Sequence, residues 1–123
     1  MPSFFKEEAD EVYSSKDLYE KFGLNPNMPC ADWYFHHKTC VWIVEEEKTR
    51  NKILEGIRQL EITVTQLKRI RKPVDRIQLR VKSIGGESKI YGRDFEGHLI
   101  KKLGKFSKKI LIEGMPIHIL VGG

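Results

Sequence analysis

Between Thr49 and Lys72 the chain carries Ile53, Ile57, Leu60, Val64 and Leu67, apolar residues recurring at spacings of four and three. An α-helix turns by about 100° per residue, so this recurrence puts all five on one stripe. The spacing predicts an amphipathic helix of about 49 to 70, with Thr49 as its N-cap. Lys72-Pro73-Val74-Asp75 then breaks it, because proline biases the residue before it away from helix. Immediately afterwards the period changes to two. Ile77, Leu79 and Val81 alternate with Arg76, Gln78, Arg80 and Lys82, which predicts a half-buried strand with a cationic face. A helix with one apolar stripe feeding such a strand has to lay that stripe on a sheet.

The segments around this unit complete an α/β reading. Residues 3 to about 22 read as helix, broken near Ser14-Ser15, with Ser15 capping the second turn, Asp17 near its positive end and Gly23 placed to stop it. Asn25-Pro26-Asn27-Met28-Pro29 is a loop. Asp32 to Phe35 and Cys40 to Glu45 are aromatic and β-branched enough to be strands, and His36-His37-Lys38-Thr39 reads as the turn of a hairpin between them. Gly85-Gly86 turns the chain, and 109 to 121 supplies a last strand pair or a bent strand. The expected architecture is a mixed central β-sheet flanked by helices, in one domain, since 123 residues is close to a single-domain length.

Composition excludes some classes. With 40% hydrophobic and 32% charged residues the chain is neither disordered nor a membrane span, and no apolar run reaches the ~20 residues a spanning helix needs. Phe4-Phe5-Lys6-Glu7-Glu8 turns acidic where a signal peptide stays apolar, and two cysteines make no disulfide framework. These point to the cytoplasm of a cell or of a virus-infected host. The net charge of +5 is unevenly spread. Residues 1–65 hold 8 Lys/Arg against 12 Asp/Glu, and residues 66–123 hold 14 against 5, a difference of +9 in the second half. A basic half attracts polyanions and gains by releasing their counterions. Lys89, Arg93, Lys101 and Lys102, interleaved with Tyr91 and Phe95, together with Arg76, Arg80 and Lys82, are the candidate nucleic-acid contacts.

The acidic residues gather elsewhere. Asp32 opens one hairpin strand, and Glu45-Glu46-Glu47-Lys48 closes the other. Side chains alternate along a strand, so Glu46 and Lys48 share a face, and Asp32 can meet Glu46 across the pair. Two carboxylates brought together need a cation between them, and Mg²⁺ suits one or two carboxylates, keeping waters and phosphate oxygens as its other ligands. Lys48 beside such an ion could orient or help deprotonate an attacking water, or steady charge developing on a phosphate.

Asp32, then Glu46-Glu47-Lys48, then a helix bearing Gln59 resembles the PD-(D/E)XK, or restriction-endonuclease-like, nuclease superfamily, and small Holliday-junction-resolvase-like members in particular. About 50 of the 123 residues, through Lys82, follow the order of elements in that family, although Ala31 rather than proline precedes Asp32. The resemblance implies hydrolysis of DNA phosphodiester bonds with Mg²⁺ (or Mn²⁺) on Asp32 and Glu46, Lys48 and Gln59 completing the catalytic set, and pairing into a homodimer. Glu45 replaces Glu46 as ligand if a bulge intervenes, and an acid from the first segment, Glu8, Glu11 or Glu20, is a further candidate.

Plainer readings exist for each element. The acidic run can be a solvated strand end leading to a helix N-terminus, where acids are favoured anyway. Gln59 can be a helix-surface residue, and Cys30, His36, His37 and Cys40 lack the close cysteine pair of a structural zinc site. A non-catalytic nucleic-acid-binding protein of the same fold, or a structural or regulatory protein of a small genome, is the rival to the nuclease.

Overall fold

Leu60, Val64 and Leu67 of the predicted stripe are fully buried and Ile57 nearly so, against one face of a six-stranded sheet. Each such side chain withdrawn from water contributes roughly 1.5–3 kcal/mol, which is what fixes the helix to the sheet. The computed structural model describes residues 4–38, 41–49, 52–82 and 111–121. The expected turn at Gly85-Gly86 and the basic residues Lys89, Arg93, Lys101 and Lys102 lie outside the described residues.

In chain order, a 3-10 turn (Lys6–Glu8) leads into strand β1 (Ala9–Ser14) and a short helix α1 (Ser15–Glu20). Strands β2 (Trp33–His37) and β3 (Val41–Thr49) follow, then helix α2 (Ile53–Arg69), β4 (Arg76–Lys82), β5 (Leu111–Ile112) and β6 (Met115–Val121). The sheet order is β1-β2-β3-β4-β6-β5. The pairs β1/β2, β2/β3 and β5/β6 are antiparallel, whereas β3/β4 and β4/β6 are parallel. The protein is therefore α/β with a mixed sheet, and β3-α2-β4 is a parallel βαβ unit, the connection that parallel neighbours require. Among the described residues no helix is long and apolar enough to cross a membrane.

Four expectations are corrected. Ala9–Ser14 is a strand and not part of a helix running from 3 to 22. The segment offers no apolar stripe, and its backbone groups are paired by the neighbouring β2 instead. The cap of α1 is Ser14 and not Ser15: its hydroxyl accepts from Asp17 N–H while Asp17 accepts from Ser14 N–H, and this capping box needs Ser14 extended. The hairpin turn is shorter than predicted, since His36 and His37 pair in β2 with Trp42 and Val41. Finally, β3 runs on to Thr49, so α2 starts after Lys52 and Thr49 does not cap it. The last strand pair is as expected, closed by Glu113 (φ 50°) and Gly114 (φ 77°), the two left-handed residues that a tight hairpin turn uses.

The sheet has two unlike faces. Tyr34, Val44, Ile77, Leu79, Val81 and Ile117 join the α2 stripe in the main core. On the other face Phe35 and Ile43 are also fully buried. There the N-terminal segment lies across the strands, with Phe4 over the Arg76 guanidinium (4.7 Å), Phe5 over Arg80 (4.8 Å) and Lys6 over the Trp33 ring (3.6 Å).

Candidate metal centre

The β2/β3 ladder has no register shift, so its pairs run Trp33 with Glu45, Tyr34 with Val44 and onward. One residue beyond Trp33–Glu45, Asp32 comes opposite Glu46. Asp32 Oδ2 accepts the backbone N–H of Glu47 at 2.9 Å, which anchors its carboxylate at the end of the ladder. The two carboxyl groups are within hydrogen-bonding reach of each other. Glu46 is only 1% exposed. Burial first, and then the hydrogen bond and the charge of Asp32, push its pKa up to about 9, against an opposing pull from the Lys48 ammonium. Metal-free at neutral pH, the pair therefore holds a proton on Glu46.

Helix α2 closes over this pair at Gly56. A Cβ there would sit 2.8 Å from Lys48 Cγ, 2.8 Å from Leu79 Cδ1 and 3.6 Å from Glu46 Cγ. A glycine inside a helix costs roughly 1 kcal/mol relative to alanine, and here the close approach of helix to strand accounts for it. Three residues on, Gln59 occupies the same side of α2. Beyond it the fully buried Thr63 reaches the chain just before Asp32, its Oγ1 accepting from Ala31 N–H at 2.8 Å. Glu46 Oε2 and Gln59 Oε1 are buried without a hydrogen-bond partner. Buried polar atoms are nearly always paired, so an orphaned oxygen on β3 and another on α2 are a specific feature of these two elements.

These donors fit a hard divalent cation. Asp32 and Glu46 offer carboxylate oxygens, Gln59 an amide oxygen, and all are of the type Mg²⁺ or Mn²⁺ takes. Among the described residues no group of three or more His, Cys, Asp or Glu that could hold a metal ion is present, and Asp32 with Glu46 makes two carboxylates. Magnesium sites that also engage phosphate have this character. Cys30, buried close enough to feel the charges of both carboxylates, is a thiol in the metal-free protein, since burial pushes its pKa up to about 11.

The register separates Glu45 from Glu46. Glu45 faces the other side of the sheet, where Oε1 accepts from Arg80 Nε (3.1 Å), Arg80 Nη2 (2.9 Å) and Gln78 Nε2 (2.8 Å). Glu47 faces the same way and pairs with Lys82 at 2.9 Å. Arg76 and Arg80 therefore lie on the face of the sheet opposite Glu46, whereas Lys82, at the end of β4, pairs with Glu47 and stays close enough to Asp32 to feel its charge. The alternation of β4 correctly separated its two faces but carried no information on which one shares a side with Glu46. Of the N-terminal acids, Glu8 meets His37 (3.4 Å) and Glu11 meets Tyr13 (3.0 Å), both away from the pair. Gly56 and Thr63 escaped the sequence reading, although a glycine in mid-stripe was itself a signal of close approach. Gly56→Ala is expected to destabilise the protein by about 1–2 kcal/mol in urea denaturation, overpacking against the fully buried Leu79 and the Lys48 stem outweighing the gain in helix propensity. Unchanged or higher stability would show that α2 can lift away from Lys48 freely.

No protein-family model matches the chain, and no curated protein or solved structure was found similar to it.

Proposed function

We propose that this chain is a metal-dependent nuclease acting on DNA, with Asp32 and Glu46 as the ligands of Mg²⁺ or Mn²⁺. The observation that carries the reading is the pairing of Asp32 with a Glu46 whose Oε2 is buried and unpartnered, within reach of the Lys48 charge. When bound, the cation would supply charge neutralisation at a phosphate and a more acidic water. The chain's own part is distinct. Glu46 would release its proton to solvent if it took up the cation as a carboxylate. Lys48 holds positive charge where the phosphate becomes more negative, and Gln59 Oε1 accepts a hydrogen bond from a water and so orients it. The +9 charge of residues 66–123 supports a polyanionic substrate. By the family resemblance, two copies would act together as a homodimer.

The near-complete burial of Glu46 favours a second reading, a nucleic-acid-binding protein of this fold without competent catalysis. One experiment separates the two: labelled single-stranded, duplex and branched DNA incubated with Mg²⁺, Mn²⁺ or EDTA, for the native chain and Glu46→Ala. Cutting that needs metal and disappears in the variant is the expected result. Salt-sensitive binding without any cutting would establish the second reading instead.

A further inference from the structure

Thr63 uses one hydroxyl to tie together the two elements that flank the carboxylate pair. Its Oγ1 accepts from the N–H of Ala31, the residue immediately before Asp32, at 2.8 Å. The same hydroxyl donates to the carbonyl of Gln59 at 2.7 Å, and it is within hydrogen-bonding reach of the Cys30 thiol. Thr63 is completely buried, and it belongs to α2 while its acceptor bond spans 32 residues of sequence. A hydroxyl has one donor and two acceptor positions, so this one is essentially saturated. The backbone of Asp32 and the backbone of Gln59 are thereby held at one fixed offset. Glu46 Oε2 on β3 and Gln59 Oε1 on α2 are each buried and unpaired. The comparable tie further along α2, Asn25 N–H to Gln66 Oε1 at 2.8 Å, is exposed and joins no residue of the pair.

We infer that Thr63 is a positioning residue for the metal centre, setting the approach of Asp32 to Glu46 and Gln59; this rests on the nuclease reading of that site. A metal shell tolerates little displacement, and groups that only orient ligands are worth about 10–100-fold in affinity or activity. The hydroxyl is what matters, not the methyl. Thr63→Val keeps the volume and leaves Ala31 N–H buried and unpaired. Thr63→Ser keeps both bonds and loses a methyl from the core.

The two variants therefore part company in a way that a packing role does not allow. Metal-free native protein, Thr63→Val and Thr63→Ser are titrated with Mn²⁺, free ion being read by electron paramagnetic resonance, and assayed for DNA cleavage at saturating Mn²⁺. All are held below their melting temperatures as followed by circular dichroism. The expected result is Mn²⁺ affinity and cleavage each reduced about 10-fold or more in Thr63→Val, and within about 3-fold of native in Thr63→Ser, whatever the order of their melting temperatures. Native behaviour of Thr63→Val, or losses that follow thermal stability in both variants, overturns the inference while leaving the nuclease reading in place. If native protein neither binds Mn²⁺ nor cuts DNA, the nuclease reading itself falls, and Thr63 with it.

Discussion

Glu46→Gln is expected to be more stable than the native, metal-free protein at pH 8 and, on the proposed nuclease reading, to be without metal-dependent cleavage. Both effects come from the same buried carboxyl. Its folded pKa of about 9 stands well above the ordinary 4.5 that the unfolded chain shows. Below pH 4.5 both states are protonated and Glu46 costs nothing. Between 4.5 and 9 the unfolded chain ionises while the folded one keeps its proton, so stability falls as pH rises through that window. Above 9 both are ionised and the loss is complete. At 1.36 kcal/mol per pH unit the loss at pH 7 is of the order of 3 kcal/mol. Glutamine keeps the shape, donates to Asp32 as the protonated acid does, and cannot ionise. Its advantage should therefore vanish near pH 4 and grow toward pH 8, where a gain of about 1–3 kcal/mol would raise the melting temperature by several degrees. If the pair binds the ion as proposed, Mg²⁺ at about 1,000 times Kd should reverse the ranking, because binding to the folded state alone would stabilise native protein by about 4.1 kcal/mol and leave the variant unmoved. Cleavage by the variant should fall at least 10²-fold, the usual size for losing one group that stabilises developing charge. Thermal melts from pH 4 to 9, with and without Mg²⁺, check this. Parallel pH profiles for native and variant would mean that Glu46 is not the group that titrates.

That the meeting of Asp32 with Glu46 could be expected from the sequence depends on period-two geometry. Once Asp32 and Glu45 to Lys48 lie on paired strands, alternation alone puts Glu46 and Lys48 on one face and brings Asp32 opposite Glu46. The α2 stripe and the β4 alternation are equally local patterns, and each appears in the structure within a few residues of its predicted bounds. What failed was whatever depends on a partner distant in sequence. Ala9–Ser14 has Val12 and Tyr13 as its large apolar residues, too few to announce a strand, and it is one because β2 offers its edge. Thr49 has the chemistry of a cap, but the parallel pairing with Lys82 keeps it in β3. The cationic stripe of β4 was legible as a stripe, yet nothing in Arg76 or Arg80 shows that Phe4 and Phe5 will cover it. Nor does any local pattern make Thr63 bond to Ala31 across 32 residues.

The covered face carries the largest stability effect, and Arg80→Met should show it. Arg80 donates twice to Glu45 Oε1, reaches the Phe4 carbonyl with Nη2 (3.3 Å) and stacks beneath Phe5. Glu45 is 1% exposed, and burial raises its pKa while the bonds from Arg80 pull it back. Removing Arg80 leaves Gln78 as the donor to a carboxylate sealed from water and loosens the N-terminal segment that seals it. Breaking a buried ion pair from one side typically costs about 3–5 kcal/mol, far more than any exposed pair on this surface is worth. Pairing the change with Glu45→Gln should recover most of the loss, since no buried charge is then left alone. Urea denaturation of the two single variants and the double variant measures the coupling directly. The same proteins also test what the arginine is for. Arg80 lies across the sheet from Glu46 and bonds Glu45, so on the proposed reading the double variant, once folded, should bind and cut DNA as the native protein does. A folded double variant whose DNA affinity drops, with a shallower dependence on salt, would instead return Arg80 to the nucleic-acid surface that its place in an alternating cationic stripe first suggested.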